Sequence, residues 1–264
     1  MVKTIALLVL SSAMLTILFT SCVKQSSEEP TTDDNDRIIA AIDKSTPISQ
    51  GNLITKTDTD NEGNLNINYF DSDGNLVENF VWTETENIAH SVMTYSDSNM
   101  LILKEEINAD GKTSSVEAYK YDTENNLTEK TVSEVLDGKT TKSTVYDSDD
   151  KILNSTAFSF NANDTLSKKE IFDSKNKLVE YLIYEYNDKF QNTKCSVFNA
   201  DSTLKSYTCF EYNSSGLITK EQKFDGKDNL LDYYEMEYAA DGSLSASRHF
   251  DADGNLLSED IMQQ

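Results

Sequence analysis

The chain predicts an all-β fold: an antiparallel meander of tandem β-hairpin repeats, about sixteen strands in an elongated or curled single sheet. Three observations predict it. From about Asn52 onward an aromatic residue is followed by two or three turn formers, often Gly-Asn, and then by Leu or Ile. The anchoring aromatics after Phe160 are Phe172, Tyr186, Phe198, Tyr212, Phe224, Tyr238 and Phe250; their spacing alternates between 12 and 14, so the full period is 26. The segments between turns are strand-sized and rich in Tyr, Phe, Val, Ile and Thr, residues that favour a pleated chain. One repeat is therefore a pair of strands and a pair of turns.

At the N-terminus, Lys3 precedes a largely apolar stretch from Ile5 to Phe19 that is short for a membrane-spanning helix and fits a signal peptide over residues 1–21. It leads into Phe19-Thr20-Ser21-Cys22, which resembles the lipobox of bacterial lipoproteins, with Phe19 where Leu is usual. The resemblance implies cleavage before Cys22, diacylglycerol on its sulfur and lipid anchoring in the bacterial cell envelope, at the outer membrane or cell surface. An ordinary signal peptide with a chance cysteine is the alternative. Residues 22–51 read as a flexible tether, because Val23 to Asp36 is almost devoid of apolar side chains. One short helix is expected in it over Arg37 to Asp43, capped by Asp36, with Ile38, Ile39 and Ile42 on one face and Pro47 and Gly51 beyond its end.

Residues 52–264 form the repeat domain. Clear copies of its core are Phe70-Asp71-Ser72-Asp73-Gly74-Asn75-Leu76 and Phe250-Asp251-Ala252-Asp253-Gly254-Asn255-Leu256; weaker ones begin at Tyr121, Tyr146 and Phe172. Asp or Asn at the first turn position bonds its own backbone, and Gly or Asn further on accepts the positive φ that a type I turn with a bulge requires. Each aromatic should meet the following Leu or Ile across its hairpin as an apolar pair. Asp137-Gly138 is a tighter two-residue turn. On Leu178 to Tyr186 both faces carry apolar residues, whereas Thr219, Glu221 and Lys223 make one face of their strand polar. That mixed pattern, with a net charge of −23, suits an extended sheet better than a compact sandwich.

The Tyr-Asp-x-x-Gly-x-Leu cores resemble the YD repeats of Rhs-type cell-surface and toxin-shell proteins, and MORN-type repeats are similar. The resemblance implies a repeat architecture and an envelope setting. It implies no catalytic residue.

The acidic turns at Asp71 to Asn75 and Asp251 to Asn255 suggest calcium loops, but they lack the further spaced oxygens and the distal Glu of such a loop and read as turn chemistry. His90 and His249 have no companion ligand pattern and read as exposed strand residues. Cys195 and Cys209 are a candidate disulfide in an oxidising compartment. If Phe198 faces Leu204 in even register, Cys195 faces Tyr207 and Thr193 faces Cys209, which leaves the sulfurs diagonal on one face, about 7 Å apart. A bulge would move them, and two free thiols are the alternative. Trp82 and the thirteen tyrosines read mainly as packing of the array, with carbohydrate or protein binding as the other reading.

No basic stripe suits nucleic acid, and no nucleophile-base pair, metal cluster or phosphate loop stands out. The sequence therefore predicts no enzyme, cofactor or metal. It predicts a noncatalytic, lipid-anchored protein whose acidic repeat domain binds a protein or glycan partner, with a structural spacer or envelope scaffold as the second class.

Overall fold

The structure is a computed structural model that describes residues 32–262. It is all-β apart from one helix, with seventeen antiparallel strands in meander order. The chain divides into two compact units, Met1–Tyr119 and Lys120–Gln264.

In the first unit, helix α1 (Thr32–Lys44) precedes β1 (Ile54–Thr59), β2 (Leu65–Phe70), β3 (Leu76–Trp82), β4 (Asn87–Tyr95), β5 (Leu101–Ile107) and β6 (Thr113–Tyr121), whose last two residues fall in the second unit. Each of the first five strands pairs with its successor. The helix begins ahead of the expected Asp36, at Thr32. Nor is it a loose part of a tether. Ala41 is buried, and Ile38 and Ile42 pack beside it against Leu65, Ile67, Tyr69 and Phe80, the apolar row of β2 and β3. Strict alternation along β2 puts Leu65, Ile67 and Tyr69 on that one face.

The second unit contains β7 (Leu127–Leu136), β8 (Lys139–Asp147), β9 (Ile152–Phe160), β10 (Leu166–Asp173), β11 (Leu178–Tyr186), β12 (Asn192–Asn199), β13 (Leu204–Tyr212), β14 (Ile218–Asp225), β15 (Leu230–Tyr238), β16 (Leu244–Asp251) and β17 (Leu256–Ile261). Asp137 and Gly138, both at positive φ, make the predicted tight turn between β7 and β8. The other hairpins repeat one design, except the β3–β4 turn, which the amide of Thr83 closes on the carbonyl of Glu86 at 2.9 Å. In the first unit's example, the amide of Asp71 bonds the carbonyl of Asn75 at 3.0 Å, the amide of Gly74 bonds the carbonyl of Asp71 at 3.2 Å, and Gly74 has φ +87°. A bulge follows at the aromatic, which then faces the Leu or Ile six residues on: Phe198 opposite Leu204, Tyr212 opposite Ile218, Phe224 opposite Leu230. The aromatic-to-aliphatic pairs expected at the hairpins are present at most of them, but Tyr186 faces Asn192 and Trp82 faces Asn87.

The 26-residue period has a physical meaning in the second unit. Tyr186, Tyr212 and Tyr238 end long strands, and their hydroxyls donate to the carbonyls of Leu166, Asn192 and Ile218, each the first residue of the preceding strand, at 2.6–2.7 Å. Between them run stacked pairs: Tyr181 on Phe198, Tyr207 on Phe224 and Tyr233 on Phe250, with centroids 4.7–5.0 Å apart. The ammonium of Lys168, Lys194 or Lys220 lies over each tyrosine in turn, at 4.9, 4.4 and 4.5 Å. Tyrosine is thus needed where a hydroxyl must reach back, and phenylalanine serves where a ring only stacks. The buried residues of this unit are small: Thr144, Ser155, Ser196 and Ala246. Cross-strand stacks and strand pairing carry its stability in place of a deep core.

Candidate functional site

In the first unit, the most buried ionisable group is Glu78 on β3, with no exposed surface. Register sets Tyr69, Glu78 and Val92 in one row, so this carboxylate falls on the face that packs under α1. Its oxygens accept from the amides of Ile48 at 3.0 Å and Ser49 at 2.8 Å, and His90 Nε2 lies 2.7 Å from Oε1. Burial pushes the Glu78 carboxyl up, but the bonds from His90, Ser49 and Ile48 outweigh it and hold the group below the usual carboxylate range. The His90 ring stacks on Phe80 with centroids 3.9 Å apart. His90 is therefore a packed partner of Glu78 and not the exposed strand residue that sequence suggests. Beside it, Ser45 is buried; its carbonyl accepts from the Tyr69 hydroxyl at 2.6 Å and its hydroxyl oxygen from the Trp82 indole N–H at 2.7 Å. Burial, then the charge of Glu78, push Tyr69 up to about 12. These groups clamp the strap after α1 to the sheet. Trp82 is packing.

An open groove of about 600 Å³ adjoins the strap, lined by Asp71, Asp73, Asn75, Val77, Met93 and Tyr95 among others. Asp71 is committed to its own turn: Oδ1 accepts from the amides of Asp73 and Asn75, and Oδ2 from the Asn75 side chain. Those bonds, that of the Asn75 side chain foremost, lower its pKa. Asp251 repeats the same contacts with Asp253 and Asn255. Among the described residues no three His, Cys, Asp or Glu side chains are grouped to hold a metal.

In the second unit, Cys195 lies opposite Thr208 and Cys209 opposite Lys194, so the thiols sit on opposite faces of the sheet, and both are free. The bulge between Val197 and Phe198 shifts the register by one residue, which the even count from Phe198 and Leu204 misses. Burial pushes both thiols up. His249 is half-buried and stacks on Tyr234 at 4.1 Å, so it too departs from the exposed reading.

One residue breaks the repeat rule. The turn from Asn187 to Gln191 has the standard bonds, the amide of Asn187 to the carbonyl of Gln191 at 3.0 Å and that of Phe190 to the carbonyl of Asn187 at 2.9 Å. Phe190 therefore occupies the left-handed position, with φ +61°, where equivalent turns hold Gly, Asn, Asp or Ser. The residue is 61 % exposed. A groove of about 580 Å³ beside it is lined by Asn187, Asp188, Gln191, Phe210, Glu211 and Tyr212 among others. Sequence reasoning passes over Phe190 because its turn carries no Gly; aligning the turns by their first Asn or Asp exposes it. The signal peptide, Cys22 and the tether up to residue 31 lie outside the described residues. No helix among those described is long and apolar enough to cross a membrane.

The chain matches no protein-family model and no curated protein. Among solved structures it is similar to TcdB2-TccC3, with a TM-score of 0.34 and 13 % identity over 75 % of this chain and 12 % of that one. A porin-like protein from Bacteroides uniformis ATCC 8492 aligns with a TM-score of 0.37 and 10 % identity over 79 % of this chain and 96 % of its own. A protein of unknown function from Bacteroides fragilis NCTC 9343 aligns with a TM-score of 0.13 and 12 % identity, covering 66 % and 94 %. This chain spans only a small part of the TcdB2-TccC3 chain.

Proposed function

We infer that the protein is a noncatalytic lipoprotein of the bacterial envelope, anchored through Cys22, whose acidic YD-like repeat domain binds a protein or glycan partner. Phe190 is the observation that carries a binding role. A bulky L-residue in the left-handed region costs roughly 1–2 kcal/mol, and an exposed aromatic gains nothing from burial in the free protein. A ring kept at that cost, beside a groove with amide, carboxylate and aromatic walls, is suited to contact with a partner's apolar surface or a sugar face.

The test is capture from envelope and host extracts, together with a glycan array, using the mature chain and its Phe190→Asn variant. A partner retained by the parent and lost by the variant supports the reading. Equal capture by both removes Phe190 from it, and recovery of nothing by either favours the second reading, a spacer. That reading has its own support: three Lys-Tyr-Phe stacks in identical register are what uniform, interchangeable length requires. Protease added to intact and then permeabilised cells separates surface display from a periplasmic position, and Cys22→Ser should release the chain from membranes.

A further inference from the structure

The strand β17 differs from every other strand of the second unit. All six of its residues are exposed, including Leu256 at 53 %, Leu257 at 57 % and Ile261 at 67 %. Among the described residues it pairs with β16 alone. Its hydrogen-bonding phase is fixed by Met262, whose amide reaches the carbonyl of Ser245 at 3.0 Å. In an antiparallel pair, alternate residues turn their amides toward the partner. The amides of Glu259 and Ile261 therefore point away from β16, to the open edge.

The side chains on this edge indicate what it accepts. Residues 256–262 repeat residues 230–236, with Leu256, Leu257 and Met262 matching Leu230, Leu231 and Met236. The middle differs: Glu259 and Asp260 stand where β15 has Tyr233 and Tyr234. In β15 the Tyr233 ring receives Phe250 of the next strand, and Glu259 offers a carboxylate instead. A register row also runs across the unit from Glu211 to Lys220, Glu235, Arg248 and Glu259. Signs alternate along it, with contacts of 3.0 Å for Lys220–Glu235 and 2.6 Å for Arg248–Glu259, and its last member among the described residues is an acid on the outer side of β17. The next member of such a row is a cation.

We propose that the open edge of β17 is a docking site for an extended, lysine- or arginine-bearing strand of a partner protein, which pairs with the outward amides of Glu259 and Ile261 and places its cation against Glu259. A second copy of this chain is the wrong occupant. It would bring another Glu259-Asp260 pair, on a chain of net charge −23, against the first. Exposed leucines and isoleucine supply apolar contact on either side of the charge, as strand addition at a sheet edge requires. This surface is separate from Phe190 and does not depend on it.

The test uses the whole mature chain and a short synthetic peptide of alternating lysine and valine, at physiological salt. Amide hydrogen exchange is read residue by residue. The expected result is slowed exchange at Glu259 and Ile261, with no comparable change in the other strands. Two control peptides separate pairing from bulk charge: one with glutamate in place of lysine, and one of the lysine form with alternate backbone amides methylated. Neither should protect these amides. Glu259→Lys should weaken the lysine peptide by roughly tenfold and improve the glutamate one. Ile261→Pro removes an outward donor at an edge position and should weaken binding while circular dichroism stays unchanged. Equal protection by the methylated peptide, protection spread over the whole acidic surface, or a dimer joined through β17 would each overturn the proposal.

Discussion

At the scale of single residues, two side chains sit against the preferences of their own positions, and each has a measurable consequence. Phe190 holds a positive φ that Asn accepts more readily, so Phe190→Asn should stabilise the second unit by about 1 kcal/mol, which raises its midpoint by roughly 2–4 °C in calorimetry. An unchanged or lower midpoint would mean that the ring makes stabilising contacts which outweigh its backbone strain. Glu78 is the opposite case, a buried charge that its surroundings satisfy. Its folded pKa lies below the ordinary value of 4.5, so its contribution is fully present above pH 4.5 and is lost as pH falls through the folded value. Acidification below that range should loosen the strap at Ile48 and Ser49 before the strands separate, visible as rising exchange at those two amides and a change in Trp82 fluorescence. Glu78→Gln substitutes an amide that cannot accept from every donor now served. It should cost about 1–3 kcal/mol and flatten the acid transition of the first unit.

At the scale of elements, much of the fold is legible in the sequence because the signals are local. Hairpins announce themselves through Asp or Asn followed by Gly or Asn, and the aromatic-to-Leu spacing states which residues will face each other, as Phe224 and Leu230 do. The register beyond each turn is less legible: the bulge that lets Phe198 meet Leu204 displaces everything after it by one residue, and so sends Cys195 and Cys209 to opposite faces. The strap between α1 and β1 is illegible for another reason. Ser45, Ile48 and Ser49 follow no period, and Glu78, which alternates with Phe80 and Trp82 on one face, shows no partner until the chain segment that bonds it is placed. Repeating elements permit a sharper prediction. Removing residues 187–212 joins Tyr186 to Asn213 and deletes one whole period, leaving Tyr186 to face Ile218 as Tyr212 does now. This variant should keep its β-sheet spectrum and cooperative melting. Removing residues 187–198 deletes half a period, joins two long strands and strips Tyr181 of its Phe198 partner; it should lose cooperative melting.

At the scale of the whole molecule, the balance of charge decides what salt should do. The chain has 46 acidic and 23 basic residues, so even if every cation found a carboxylate, half of the acids would remain without one. The pairs that do form are mostly exposed, such as Lys151–Asp149 and Lys205–Glu180, and contacts of this kind contribute about 0–1 kcal/mol each. Salt weakens these attractions and the repulsion among surplus acids together. The outcome turns on which sum is larger. Because the attractive pairs are contacts of 2.5–4.0 Å, whereas repulsion among the surplus acids also acts over longer distances that salt screens more completely, the screening of repulsion should win. Raising sodium chloride from about 10 mM to about 500 mM, which shortens the Debye length from about 30 Å to under 5 Å, should therefore raise the melting midpoint by several degrees. A midpoint that falls would show instead that local pairs such as Lys220–Glu235 and Arg248–Glu259 dominate. Stability would then rest on the alternating row of charges that crosses β14 to β17, and Arg248→Ala should abolish most of the salt response.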